Sequence, residues 1–129
     1  MVKLLFVVRR LPHLTRQEFQ RYWLERHGPL AQRLLPLLGA KRYVQSHTLE
    51  TPFDDLLRQS RGGGEPYDGL VEVWWNRIED LEAAFATAEG ARASEELLED
   101  EKRFIDLGRS ALWFAQEHTL LPQQQEKPA

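Results

Sequence analysis

Four side chains stand where proton chemistry could use them: His27, Tyr43, His47 and Glu72. An imidazole titrates near neutrality and can take or give a proton at physiological pH. His27 ends the series Phe19, Tyr22, Trp23, His27, whose spacing puts all four on one face of a helix. Gly28 and Pro29 follow at once, and a proline disfavours helical geometry in the residue before it. The helix is therefore expected to end at His27, which sets an imidazole on the apolar side, near an opening. Free terminal carbonyls would favour the protonated ring, while burial would favour the neutral one. Two roles fit this placement: a general acid or base at a pocket mouth, or a core histidine that satisfies backbone groups at a helix end.

Tyr43, Gln45 and His47 alternate along one strand candidate, so they share a face, with Val44, Ser46 and Thr48 opposite. Turned inward, they would line a wall with a phenol, an amide and an imidazole. Turned outward, they would be the wet face of an edge strand. Glu72 sits inside "LVEVWW", where its neighbours imply burial, and a buried carboxylate must be paired or protonated. It is either a salt-bridge partner of Arg9 or Arg10, or a pocket carboxylate that orients a histidine. Trp74 shares its face. Phe6, Trp23, Trp74 and Phe104 are the expected substrate-binding walls, because aromatic side chains suit flat apolar ligands. Asp106 fits a turn or cap better than a site.

Other chemistries find little support. The four histidines, His13, His27, His47 and His118, lack metal-ligand spacing, and there is no cysteine. Neither a metal nor a cofactor is expected; a haem would need an axial ligand, for which His118 is the candidate by position. "RGGGEP" lacks the lysine and hydroxyl residue of a phosphate loop. "EELLEDEKR" reads as a solvated, charged helix face. With 17 basic and 20 acidic residues and a net charge of −3, no basic stripe points to nucleic acid. The apolar N-terminal run is too short to span a membrane and has no cleavage-site pattern. A cytoplasmic protein without membrane or nucleic-acid partners is expected.

The elements that must position these residues follow from pattern. Residues 2–9 are almost continuously apolar and read as a strand buried on both faces. Thr15 and Glu18 have capping-box spacing. Leu30, Leu34, Leu37 and Leu38 carry a second helical piece that Gly39 ends. Residues 41–49 form a more polar strand, and residues 51–67 a long connection with a short helix after Thr51. Residues 69–75 form a second apolar strand. Asn76 and Glu79 repeat the cap spacing ahead of a stripe of Ile78, Leu81, Phe85 and Ala88. Gly90 interrupts the helix, which then resumes, and residues 109–118 form the last strand.

The order β-α-β-β-α-β is that of the ferredoxin-like fold, an α+β architecture with an antiparallel sheet. Its usual strand order, 4-1-3-2, sets the two most apolar strands at the centre. One domain over residues 1–118 and a disordered tail over 119–129 are expected. Helices cover one sheet face, and the apolar pattern of the central strands asks for a cover on the other. A second copy of the chain is the simplest one.

The blocks "RRLPHLTRQEFQRYWLERHGPLAQRL", "RYVQSH", "YDGLVEVWW" and "EKRFIDLGRSALWFAQEH" resemble the EthD family over residues 2–118. The resemblance implies a dimeric α+β barrel, with two ferredoxin-like sheets face to face. It also makes His27 the family's most characteristic polar position. The wider superfamily holds lactone isomerases, polyketide cyclases and dehydratases, quinone-forming monooxygenases and some haem binders. The expected function is thus a homodimeric enzyme moving a proton, without a cofactor, on a small apolar or aromatic oxygenated ligand. Catalysis would rest on His27, Tyr43, His47 and Glu72. A non-catalytic binding or accessory protein, and an oxygenase or haem-binding relative, are the alternatives.

Overall fold

The computed structural model describes residues 1–126. Its strands are β1 (Val2–Val8), β2 (Arg42–His47), β3 (Gly69–Trp75) and β4 (Ala111–Gln116). Its α-helices are α1 (Arg16–Tyr22), α2 (Gly28–Leu34), α3 (Pro52–Arg61), α4 (Ile78–Phe85) and α5 (Ala88–Glu101). The strands form one antiparallel sheet in the order β2-β3-β1-β4, the ferredoxin-like order read from the sequence. The expected tail, residues 119–129, includes residues 127–129, which lie outside the described residues.

Strand register divides the side chains between two faces. Val2, Leu4, Phe6 and Val8 of β1 lie beside Val71, Val73 and Trp75 of β3 and meet the helices. Phe19, Trp23, Ala31, Leu34, Leu35, Leu38, Ala93 and Leu97 close the core from the helical side. The opposite face carries Lys3, Leu5 and Val7, with Leu70, Glu72 and Trp74 beside them and Trp113 across from Leu5. β4 is exposed, with Leu112, Trp113 and Phe114 between 44% and 58% accessible.

Three local expectations are corrected. The helix does not end at His27. Gly28 is helical (φ −53°, ψ −51°), and a π turn, Trp23–His27, joins α1 to α2 without a break. Pro29 has no N–H for the carbonyl of Glu25 and its ring would crowd that carbonyl in a regular α-turn. Widening the turn by one residue removes the conflict: the Gly28 N–H donates to the Trp23 carbonyl, five residues back. Asn76 caps nothing, because α4 starts after Arg77, whose side chain makes no cap bond. Gly90 is not the interruption either. The chain turns at Ala86 and Thr87, and the Thr87 hydroxyl accepts from the Gly90 N–H. At Gly90 a Cβ would lie 2.0 Å from the Ala84 carbonyl oxygen, so the glycine permits this close turn rather than stopping a helix. By contrast, the capping box at Thr15 and Glu18 and the Thr51 cap form as expected.

Candidate functional site

A cavity of about 560 Å3 lies between the helices and the inner face of the sheet. Its lining reaches from Tyr43 on β2 to Leu112 and Phe114 on β4, across all four strands, or roughly 14 Å at ordinary strand spacing. Phe85, Leu98, Leu112 and Phe114 line it while remaining exposed; they form its open rim. Phe6, Trp23, Ala31, Val71 and Trp75 are buried in its wall. The polar side chains in this apolar lining are few, chiefly His27, Tyr43, Ser94 and Glu101.

His27 is 5% exposed. Its Nδ1 lies 2.7 Å from Oδ2 of Asp100, near the end of α5. A carboxylate only accepts, so Nδ1 carries the proton and donates. Nε2 is then left, unprotonated, for the cavity that the ring lines. Burial is the dominant influence on this imidazole and lowers its pKa, while Asp100 opposes it. The ring is thus a neutral base held in one tautomer. Asp100 is itself buried and also accepts from the Tyr22 hydroxyl at 2.6 Å and from Arg103 Nη1 at 2.9 Å. Burial raises the Asp100 pKa, but these bonds overcome it and hold the carboxyl below the usual range. No helix terminus lies at His27. The influence expected from free carbonyls is supplied by a carboxylate from another helix.

Glu101, the next residue, lines the cavity. Burial, and then the neighbouring charge of Asp100, push its pKa up to about 7. Two adjacent carboxyls are thereby split into an ionised one that orients His27 and one poised to donate a proton at neutral pH. Tyr43 faces inward, and burial raises its phenol to about 12 even though the Gln45 amide donates to its oxygen at 2.6 Å. It remains a phenol and a donor toward the cavity. Gln45 also donates to the Trp23 carbonyl at 3.0 Å and accepts from His47 Nε2 at 2.7 Å, so β2 is latched to the π turn. The Trp23 indole N–H is buried and makes no hydrogen bond of ordinary geometry among the described residues, although its approach to the Tyr43 hydroxyl opposes the rise in that phenol's pKa. Its six-membered ring rests on Gly69, where a Cβ would meet it at 2.4 Å, so the strand carries no side chain at that point.

Of the residues expected at the site, the structure brings together His27, Tyr43, Phe6 and Trp23. His47 sits one layer behind, stacked on Trp23 at 4.3 Å between ring centroids, and reaches the site only through Trp23 and Gln45. Phe104 is fully buried behind the His27 ring at 5.0 Å and forms no part of the cavity lining. Glu72 and Trp74 lie on the opposite sheet face. Even-numbered β3 residues point away from the helices, so neither can reach this cavity. Glu72 is a salt-bridge residue, as one reading held, but its partner is Lys3 at 2.7 Å rather than Arg9 or Arg10. Trp74 donates to Glu117 at 2.7 Å. His118 is exposed beyond β4 and away from the cavity. Among the described residues no three His, Asp or Glu side chains gather in a metal-binding group.

Asp100, Glu101 and Tyr22 were missed in the sequence. The segment holding both carboxylates looks like a solvated helix face, yet Ala93, Leu97, Asp100 and Phe104 recur at helical spacing and all are buried. An acid in a buried stripe was the available signal.

The EthD domain family matches residues 11–108. No curated protein matches the chain. Among solved structures, an EthD family protein of Bacillus halodurans is 20% identical with a TM-score of 0.60, covering 92% of this chain and 99% of its own. HapK of Hahella chejuensis is 10% identical with a TM-score of 0.55, over 98% and 100%. A dimeric protein of unknown function and ferredoxin-like fold from Bacteroides fragilis is 9% identical with a TM-score of 0.53, over 90% and 95%. At such identities these likenesses show the fold alone.

Proposed function

The chain belongs to the EthD family, and we propose that it is a small-molecule enzyme that moves a proton without a cofactor, in an isomerisation, cyclisation, dehydration or decarboxylation. The observation that supports this reading is the Asp100-oriented His27, whose free nitrogen faces an apolar cavity also lined by Tyr43 and Glu101. His27 takes a proton from an acidified carbon or hydroxyl of the substrate. Tyr43 donates a hydrogen bond to the oxygen that gathers negative charge, and Glu101 returns a proton. Each step uses a group in the required protonation state at neutral pH. Among the described residues no lysine or arginine lines the cavity, so an uncharged, extended aromatic or polyketide-like compound with an enolisable carbonyl or a phenol fits it best.

The open sheet face, with Leu5, Val7, Leu70 and Trp113, packs on a second copy of the chain in this reading. The Bacteroides fragilis relative of the same fold is dimeric.

The test is deuterium exchange in D2O. Bicyclic enolisable ketones such as 2-tetralone are incubated with the protein, and label at the α-carbon is followed by NMR. Exchange above the buffer rate is expected, falling about 10²–10⁴-fold in His27→Ala. A second reading, a binding or accessory protein, draws on the cavity's overwhelmingly apolar lining. It prevails if the ketones bind and no exchange is accelerated.

A further inference from the structure

A second, polar cleft of about 230 Å3 lies outside the cavity, lined by Arg9, Arg10, Arg16 and Arg109 together with Glu65 and Asp68. The charge balance there is unusual for a chain whose net charge is −3. Four guanidinium groups face two carboxylates, and Glu65 is engaged elsewhere by Arg58 at 2.7 Å. Asp68 is 4% exposed. It accepts from the Arg10 backbone N–H at 2.8 Å, the Arg10 guanidinium and Arg16 Nε at 3.0 Å. One buried carboxylate thus fixes two arginines, and their positive charge exceeds its own, although Arg16 Nη1 also approaches the exposed Glu50 carboxylate at 3.4 Å.

The other two arginines are less engaged. The Arg9 guanidinium lies over the Tyr67 ring at 4.0 Å and forms no salt bridge among the described residues; its one polar contact is the Pro66 carbonyl at 3.5 Å. Arg109, 61% exposed, approaches Asp106 only at 3.9 Å. These two forks stand beside a fixed positive node. Planar guanidinium groups pair with tetrahedral oxyanions through two parallel hydrogen bonds, and several together favour a dianion.

We propose that this cleft binds a phosphoryl group, with Arg9 and Arg109 as direct ligands and the Arg10–Asp68–Arg16 node as the field that holds it. The site is separate from the cavity yet adjoins it: the 3₁₀ turn Leu107–Arg109 puts Leu107 in the cavity wall and Arg109 at the cleft.

The test is a titration of the isotopically labelled full chain at pH above 7 with inorganic phosphate, against sodium chloride at equal ionic strength. Amide signals of Arg9, Tyr67 and Arg109, and the Nε signals of both arginines, report binding. A saturable response to phosphate and not to chloride is expected. Arg109→Ala and Arg9→Gln should each weaken it by about tenfold or more, the loss expected for a charge-assisted bond. Arg10 and Arg16 are left intact, because they hold Asp68. Should Arg9→Gln disturb the Tyr67 packing and lower the melting temperature, Arg109→Ala alone decides. Phenyl phosphate provides the second arm. Tighter binding than inorganic phosphate assigns an organic phosphate as the ligand, and equal binding assigns the phosphoryl group by itself. The proposal is overturned by no saturable response at tens of millimolar phosphate, by an equal response to chloride, or by binding that survives both substitutions. None of these outcomes bears on proton transfer in the cavity.

Discussion

Replacing Asp100 with asparagine isolates the carboxylate that orients His27, and it needs no substrate. The Asp100 carboxylate accepts from His27, Tyr22 and Arg103 at 2.7, 2.6 and 2.9 Å. The Arg103 bond counts for little, since that side chain is 66% exposed. The two inner bonds are charge-assisted, and replacing the charge while keeping the shape costs about 2–3 kcal/mol. For a domain of this size that is a fall in melting temperature of roughly 5–15 °C at fixed protein concentration. The diagnostic readout is His27 itself. Burial lowers its pKa and Asp100 raises it. Removing only the opposing influence must move the pKa further down. The asparagine can also turn its amide N–H toward Nδ1 and force the proton onto Nε2, the nitrogen meant to act as base. Imidazole ¹⁵N spectra across the acid range would follow both changes. Exchange of a bound enolisable ketone should drop about 10²–10⁴-fold. A His27 pKa that rises or stays put in Asp100→Asn would refute the coupling and leave the ring as packing alone.

Glu101→Gln should change how stability depends on pH. The folded pKa is raised from 4.5 to about 7, so the wild-type contribution is complete below the unfolded value and lost as pH rises through about 7. The variant escapes that loss, and chemical denaturation should find it gaining up to about 3 kcal/mol on the wild type between acidic and mildly alkaline pH. Its rate profile should lack the limb near neutrality. Tyr43→Phe should melt within about 1–2 kcal/mol of wild type, having lost one hydrogen bond, and lose about 10²-fold in exchange rate; an unchanged rate removes the phenol from the mechanism. Val7→Asp places an unpaired charge at the centre of the open sheet face. Wild type should sediment at twice the chain mass and the variant as a monomer or unfolded chain; a wild-type monomer with a cooperative melt would rule out the face-to-face pairing.

The fold was legible because its signals are local and mutually consistent. Continuous apolar runs marked β1 and β3 as central, the mixed pattern of residues 41–49 marked an edge, and Thr15 with Glu18 marked a helix start. The faces of strands were legible too, and Tyr43, Gln45 and His47 do share one. Which face that was depended on the register against β3, a long-range property that no short window contains. The register of β1 against β3, equally long-range, sends Glu72 outward to Lys3. Its apolar neighbours had suggested burial, but a strand can be flanked by apolar residues and still turn one carboxylate to a lysine on the next strand.

His27 shows where local reasoning stops. A proline two residues on is a helix-breaking signal, and here the chain absorbs it in a π turn, Trp23–His27, because Gly28 stays helical and the Trp23 carbonyl takes a second donor from Gln45. That donor comes from a strand 22 residues away, so propensity alone cannot anticipate it. The continuous helix matters to the chemistry. A break would have exposed the imidazole at a terminus, where solvent and free carbonyls would set its charge. Carrying the helix on through the proline keeps the ring buried against Phe104 and within 2.7 Å of Asp100. Burial makes it a base, and the carboxylate decides which nitrogen bears the proton. Glu101, one residue further along α5, has its pKa pushed up to about 7 by burial and then by the charge on Asp100. In the proposed mechanism a single acidic pair, read from the sequence as solvated surface, thus sets both the base and the acid of the cavity. Its placement in the buried stripe Ala93, Leu97, Asp100, Phe104 is the feature to look for where a charged helix must also close a core.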